Sequence, residues 1–376
     1  MIFNYNLPVN ILFGCGRSKE IGNEVAKYGN KVLIVTGQKS TKKSGLLDKV
    51  KALLTEAKVQ YHVFDKVEQN PLSTTVYEGA KVIKETGCNV VLGIGGGSIM
   101  DAAKSIAFVS KNSGDLSQYI FGIKQGYDAL PIVLVPTTAG TGSEGNCFSV
   151  ITNPETKDKK SLRTNLIIAK ASIVDPELMV TMPKKIIASV GFDALCHNME
   201  AYLSTIGQPL TDMKAYYGIK LLAENLPKVY QNPEDLEAFE KVTLASTLGG
   251  MVIGVAGVVL PHGMEHPVSG LYDVVHGKGL AALTPEIVEK SWRYDLKKFK
   301  DISKLLGGID AEDCAEAIRE FLRKIELEVT LGELGVLEKD VDWMAENCMK
   351  VSKPSIDNNP KVFSIEEIKD IYYKAL

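Results

Sequence analysis

No two cysteines are spaced C-x-x-C: Cys15, Cys88, Cys147, Cys196, Cys314 and Cys348 are scattered along 376 residues. In a chain this long, that argues for free thiols in a reducing compartment rather than a disulfide framework, so a cytoplasmic location is expected. An excess of charge is also lacking. Lys and Arg number 43 against 46 Asp and Glu, a formal net charge of -3, which leaves no basic footprint for nucleic acid. No uninterrupted apolar run reaches membrane-spanning length. The most apolar, residues 248–260, carries four glycines and reads as a closely packed helix or turn. The opening M-I-F-N-Y-N-L-P-V-N lacks the charged head and apolar run of a signal peptide. The partner expected is therefore a small molecule, with neither nucleic acid nor membrane involved.

Histidine is scarcer still, with five in the chain. Four of them, His197, His262, His266 and His276, fall in two short stretches, S-V-G-F-D-A-L-C-H (189–197) and L-P-H-G-M-E-H-P-V-S-G-L-Y-D-V-V-H-G (260–277). Asp193 and His197 are spaced i, i+4, as are His262 and His266, which on a helix puts each pair on one face. One carboxylate and several imidazoles on rigid elements suit a divalent transition metal. A lone D-x-x-x-H matches by chance; the concentration of histidines favours a metal site over coincidence. Cys196, beside His197, reads as a small buried side chain rather than a ligand, because helix neighbours point to different faces.

The first half alternates short β-branched runs with helical patterns. Residues 31–36, 59–64, 89–94 and 132–135 read as strands, 45–57 and 74–86 as helices, and 172–178 as a last short strand and turn. Such alternation predicts a mainly parallel sheet with helices on both faces and a ligand outside the carboxyl ends of its strands. Beyond residue 180 helical periodicity takes over, at 184–204, 210–224, 233–248, 285–290, 311–324, 341–352 and 365–376, with Pro209, Pro227, Pro233, Pro261, Pro267 and Pro285 punctuating the segments. The expected organisation is an α/β dinucleotide-binding domain over 1–180 and an all-α metal-binding domain over 181–376, with the reaction in the cleft between them.

The strand at 89–94 runs into Gly95-Gly96-Gly97-Ser98 and a helix. A glycine-rich strand-to-helix turn lets backbone N–H groups approach an anion at the positive end of a helix, which favours a pyrophosphate over a ligand-free turn. Gly140-Thr141-Gly142-Ser143-Glu144-Gly145 also fits G-x-G-x-x-G, but no clear helix opens on its third glycine. That loop reads instead as a polar lid, with Thr137, Thr138, Thr141 and Ser143 offering hydroxyls to a cofactor.

Five segments together resemble the iron-containing (group III) alcohol dehydrogenase family: G-G-G-S-I-M-D-A-A-K (95–104), P-T-T-A-G-T-G-S-E (136–144), G-F-D-A-L-C-H-N-M-E-A-Y (191–202), H-G-M-E-H-P-V-S-G-L-Y-D-V-V-H-G (262–277) and N-P-K-V-F-S-I-E-E-I (359–368). The resemblance implies a dehydroquinate synthase-like fold and a homodimer. It makes Asp193, His197, His262 and His276 ligands of Fe²⁺, or of Zn²⁺. It places His266 near a nicotinamide as an aid to proton transfer, an imidazole having an ordinary pKa close to neutrality. It puts Gly96, Gly97 and Ser98 on the pyrophosphate, with Asp101 in the same helix, and Asn70, Thr137, Thr138, Thr141, Lys160 and Leu178 around the rest of the cofactor.

One departure from the family pattern bears on the cofactor. Many members carry V-T-D after the first of these strands, where the Asp holds the adenosine ribose; here Val35-Thr36-Gly37 is followed by Gln38-Lys39-Ser40. Loss of that carboxylate removes a repulsion against a 2′-phosphate, so NADP(H) is expected over NAD(H), as in the butanol dehydrogenase branch. The implied activity is hydride transfer between the cofactor and a primary alcohol or aldehyde such as butanol or butanal. The substrate pocket is expected to be lined partly by 249–257, where Ile253 and Val255 are apolar and modest in size. The alternatives are a glycerol or 1,2-diol dehydrogenase of the same superfamily, and a dehydroquinate synthase-like lyase, which requires Lys and Arg that these segments scarcely contain.

Overall fold

The structure is a computed structural model that describes residues 2–376. Eight strands form in chain order: β1 (Ile11–Phe13), β2 (Lys31–Gly37), β3 (Gln60–Val67), β4 (Val90–Gly95), β5 (Ile132–Pro136), β6 (Phe148–Thr152), β7 (Lys159–Arg163) and β8 (Ala171–Val174). Six of them make one sheet, ordered β1-β8-β5-β4-β2-β3, in which every pairing is parallel. Alternation along the strands feeds two cores. Leu33, Val35, Val91 and Leu134 pack with the helices Ser73–Thr86 and Gly97–Val109, while Val32, Ile34, Val90, Leu92 and Ile94 pack with the helix Leu46–Glu56 on the other face. After β2 the chain steps outward to β3, then returns to β4 on the opposite side of β2. This reversal opens a crevice at the carboxyl ends of β2 and β4, where Gly37 and Gly95 stand.

Helices fill the chain from Lys184 onward. The helix Lys184–Leu203 is central: every residue from Gly191 to Leu203 is buried, against the helices Pro209–Gln231, Leu236–Ala256 and His276–Ser291. An α/β unit with a parallel sheet followed by an all-helical region is therefore the fold.

Several local expectations are corrected. Pro227, Pro267 and Pro285 lie inside helices rather than between them; burial of the flanking turns outweighs the lost N–H. Pro209 and Pro261 do sit at helix starts, where the missing N–H has no intrahelical partner anyway. The helix expected at 285–290 begins at His276, and Leu296–Leu306 is a further helix. The helix Leu236–Ala256 is long and apolar enough to cross a membrane by length and composition, but it is a mostly buried core helix here.

The antiparallel hairpin β6–β7 was not legible, because K-K-S-L-R alternates without a hydrophobic period. Its turn is held by Asn153, whose side chain accepts the Glu155 N–H at 2.9 Å, and by Lys157 at a positive φ of 60°.

The loop after β5 is an internal strut and not a lid. Ser143 and Glu144 are buried. The buried Lys104 ammonium donates to Ser143 Oγ (2.8 Å), Asn146 Oδ1 (3.1 Å) and the Phe148 carbonyl (2.8 Å). The loop's glycines serve close approach to helices. A Cβ on Gly140 would lie 2.6 Å from Val190 Cβ, and one on Gly250 would lie 1.9 Å from the Gly142 carbonyl oxygen.

Candidate metal and cofactor site

The helix Lys184–Leu203 presents Asp193 and His197 one turn apart, buried at 3% and 6% exposure. The next elements bring two more imidazoles to the same point: His262 from the first turn of the helix Leu260–Tyr272, and His276 from the head of His276–Ser291. Around Asp193 Oδ1 stand His262 Nε2 at 3.3 Å, His197 Nδ1 at 3.7 Å and His276 Nε2 at 3.7 Å. Asp193 Oδ1, His197 Nδ1 and His262 Nε2 are all buried without a hydrogen-bond partner. Buried polar atoms are rarely left so. Asp193, His262 and His276 offer ligand atoms that all lie within 4.8 Å of one another, and His197 stands beside Asp193 at the edge of this group. Ligand atoms of a tetrahedral shell with bonds of ~2.1 Å lie roughly 3.4 Å apart, close to the spacing seen. The donor set therefore fits a divalent metal.

Burial drives the His197 imidazole down to about 4. Burial acts downward on His262 as well, but the Glu200 and Asp193 carboxylates outweigh it and raise it to about 10. Burial would raise Asp193, yet the three imidazoles hold its carboxyl well below the usual range.

Two carboxylates behind the cluster fix the rings. His262 Nδ1 donates to Glu200 Oε1 at 2.6 Å, and Glu200 Oε2 accepts the Val259 N–H at 2.8 Å. His276 Nδ1 donates to Glu265 Oε2. With an ion bound, a proton on Nδ1 of each ring would leave the Nε2 lone pair for the metal, as metal-binding histidines require. These partners were missed in the sequence. Glu200 had a signal, since D-x-x-x-H-x-x-E (193–200) keeps one helix face. Cys196 points elsewhere, with Sγ 3.6 Å from Thr284 Oγ1.

His266 stacks on His276 with ring centroids 6.0 Å apart, and lies 6.3 Å from His262. Burial first, then the Lys159 charge, pushes it well below its ordinary pKa. The shift favours the neutral imidazole.

A cavity of about 360 Å³ runs from this cluster to the sheet crevice, within the range of ligand pockets. Asn70, Gly97, Ser98, Asp101, Thr141, Lys160, Asp193 and all four clustered histidines line it. At its far end the first intrahelical bonds belong to Ile99 and Met100, which leaves the Gly97 and Ser98 N–H groups at the head of the helix Gly97–Val109. A Cβ on Gly97 would lie 2.2 Å from Thr141 Cγ2 and fill this cradle.

Gly37, Gly96, Thr137, Thr138 and Leu178 do not line the cavity. Gly96 caps that helix with Thr138 against it, and the Thr137 N–H bonds the Gly95 carbonyl at 3.0 Å. Leu178 packs on the sheet. Asp101 also bonds internally: its oxygens accept Ser143 Oγ–H at 2.6 Å and the Val150 N–H at 3.0 Å, and both Asp101 and Ser143 line the cavity. Asn70 reaches across to the helical region, donating to Asp273 Oδ1 at 2.7 Å. On the substrate side Ile253 faces the cavity as expected, but Val258 takes the place assigned to Val255. The hairpin β6–β7 also brings Lys159, Lys160 and Arg163 to the wall, a basic content that the motif segments do not show.

The sequence profile of iron-containing alcohol dehydrogenase matches residues 8–176, and that of the C-terminal part of the Fe-containing alcohol dehydrogenase family matches 187–376. The chain is 32% identical to the NAD-dependent methanol dehydrogenase of Bacillus methanolicus, over 99% of this chain and 100% of the relative. It is 34% identical to the NADH-dependent butanol dehydrogenase B of Clostridium acetobutylicum, over 100% and 99%. Among solved structures, the archaeal halo-thermophilic Red Sea brine pool alcohol dehydrogenase superposes with a TM-score of 0.95 at 35% identity, covering 100% of this chain and 99% of that one. With both halves of the fold matched in order and over nearly their full length, the chain belongs to the iron-containing alcohol dehydrogenase family.

Proposed function

We propose that this chain is a metal-dependent alcohol dehydrogenase, or aldehyde reductase, working between NADP(H) and a short primary alcohol or its aldehyde, with butanol and butanal as the reference pair. The observation that carries the reading is the grouping of Asp193, His262 and His276, with ligand atoms all within 4.8 Å of one another, in the cavity that ends at the Gly97 helix head. Fe²⁺ or Zn²⁺ held there would polarise the substrate oxygen, and the nicotinamide would carry the hydride.

The chain's own residues supply the rest. Gly97 and Ser98 bind the pyrophosphate through backbone N–H groups. Ile253, Val258 and Val351 form an apolar wall that keeps water from the reacting carbon. Glu200 and Glu265 hold two imidazoles in the ligating tautomer. A neutral His266 has one ring nitrogen to accept a proton and one to donate it, which is what a relay to solvent needs. Replacing His266 by alanine is expected to lower kcat by roughly a hundredfold while metal content stays full; a variant that loses its metal would make His266 a ligand instead.

NADP(H) rests on the end of β2. A Cβ on Gly37 would meet Ile99 Cδ1 at 3.4 Å and the Val67 carbonyl at 3.6 Å, both ordinary contacts, so sterics do not account for the missing carboxylate. Lys39 beside it is exposed. The methanol and butanol dehydrogenases compared above are NAD- and NADH-dependent, and the preference for NADP(H) rests on this strand end.

The deciding assay is oxidation of NADPH and, in parallel, NADH by anaerobically Fe²⁺-loaded protein with butanal. Turnover that disappears on chelation and is faster with NADPH is expected. Faster turnover with NADH would discard the cofactor preference and keep the reaction; turnover that survives complete metal removal would overturn the metal assignment.

A further inference from the structure

Of the two carboxylates behind the metal cluster, Glu200 is partnered from within the helical region, by Val259 and His262. Glu265 is not. Its side chain, with no exposed surface, accepts from His276 Nδ1 and from Ser269 Oγ. Its third partner arrives from the α/β unit: Lys159 on β7, 6% exposed, sets Nζ 3.5 Å from Glu265 Oε2. The same ammonium lies 3.4 Å from His276 Nδ1. With a proton on Nδ1 both groups are donors, so they do not bond each other; both serve Glu265 Oε2 as a shared acceptor.

Two glycines show that this meeting is built into the packing. A Cβ on Gly279 would lie 2.9 Å from Glu265 Cγ, so the carboxylate has space only because that position has no side chain. A Cβ on Gly270 would lie 2.3 Å from the Lys157 carbonyl, so the turn of the hairpin β6–β7 rests directly on the helix that carries Glu265. Lys159, two residues from Lys157, is delivered by that contact.

We propose that Lys159 is a positioning residue for the metal centre: by fixing Glu265 it orients the His276 imidazole, so the seating of the hairpin on the helical region sets one ligand of the metal. The inference rests on the metal-site reading above. A buried Glu265 without its cation is free to turn toward Ser269 alone, and His276 then loses the acceptor that holds its ring.

The test uses full-length protein loaded with Co²⁺ as an optical probe. Lys159→Met is expected to weaken Co²⁺ affinity, measured by competition with a chelator, by roughly ten- to a hundredfold, and to shift the visible cobalt bands. Lys159→Arg should restore most of both. Glu265→Gln should weaken affinity similarly, and Lys159→Met with Glu265→Gln should cost less than the product of the two single effects, because the pair acts as a unit. If Lys159→Met does not fold by circular dichroism, Glu265→Gln carries the test with the same expected loss. Wild-type affinity and an unshifted cobalt spectrum in a folded Lys159→Met, or in a folded Glu265→Gln, would overturn the inference and leave the metal site standing. A wild-type protein that takes up no Co²⁺ would sink the metal site and the inference together.

Discussion

Asp193→Asn protein should fold, lose its metal on dialysis, and reduce butanal with kcat/KM at least about a thousandfold below wild type, roughly 4 kcal/mol of lost transition-state stabilisation. The substitution keeps shape and removes charge. Asp193 Oδ1 is the point on which His197, His262 and His276 converge at 3.3 to 3.7 Å, and the side chain supplies the one anion among the four expected ligands. Without it, three neutral imidazoles hold a doubly charged ion in a buried pocket with no anionic ligand, and the nearest carboxylates, Glu200 and Glu265, stand behind the rings. The check is metal analysis of the dialysed protein beside steady-state kinetics. Full metal content with activity within tenfold of wild type would show that the cluster is not the reaction centre.

Gly250→Val should produce the largest loss of stability. The new Cβ would lie 1.9 Å from the Gly142 carbonyl oxygen and 2.6 Å from Gly142 Cα, both backbone atoms that cannot rotate away. Gly142 sits at φ 57°, so the loop has little freedom to yield. Overpacking of this kind costs about 3 kcal/mol or more, a fall in Tm of roughly 10 °C for a unit of this size. Gly254→Ala, one turn further along the same helix, is the control. Its Cβ meets nothing nearer than Asn146 Cβ at 3.5 Å, and alanine favours a helix over glycine, so its Tm should hold or rise. Equal melting curves for Gly250→Val and wild type would mean that the loop after β5 is not fastened to this helix as described.

The two predictions draw on parts of the molecule that were unequally legible in the sequence. Histidine is rare here, so four of them in two stretches stood out before any geometry was known. The glycine turn at 95–97 was legible for a similar reason, as an unusual local composition at the end of a strand. Carboxylates are abundant, with 46 Asp and Glu, and only three-dimensional placement singles out Glu200 and Glu265. The helix Lys184–Leu203 was legible at 184–204, although it is buried all round from Gly191 and presents no polar face there. The second glycine-rich stretch, Gly140 to Gly145, is spaced like a nucleotide loop, yet its glycines are explained by contact with Val190 and Gly250. Spacing cannot distinguish a backbone that approaches a phosphate from one that approaches a helix. The hairpin β6–β7 carries Lys159 and Lys160 to the cavity on a strand whose polar alternation resembled a surface loop.

The unpartnered atoms of Asp193, His197 and His262 also bear on how much of this protein a cell would hold. Each leaves the metal-free fold with a desolvated polar group that water satisfies in the unfolded chain. An ion that binds the folded state alone removes that penalty and adds about 2.7 kcal/mol when present at a hundred times its dissociation constant. A shift of that size changes the unfolded fraction by roughly a hundredfold, and proteolysis acts on the unfolded fraction. Metal supply would then govern the enzyme's abundance as well as its turnover, and a metal-starved cell would clear the apoprotein rather than store it.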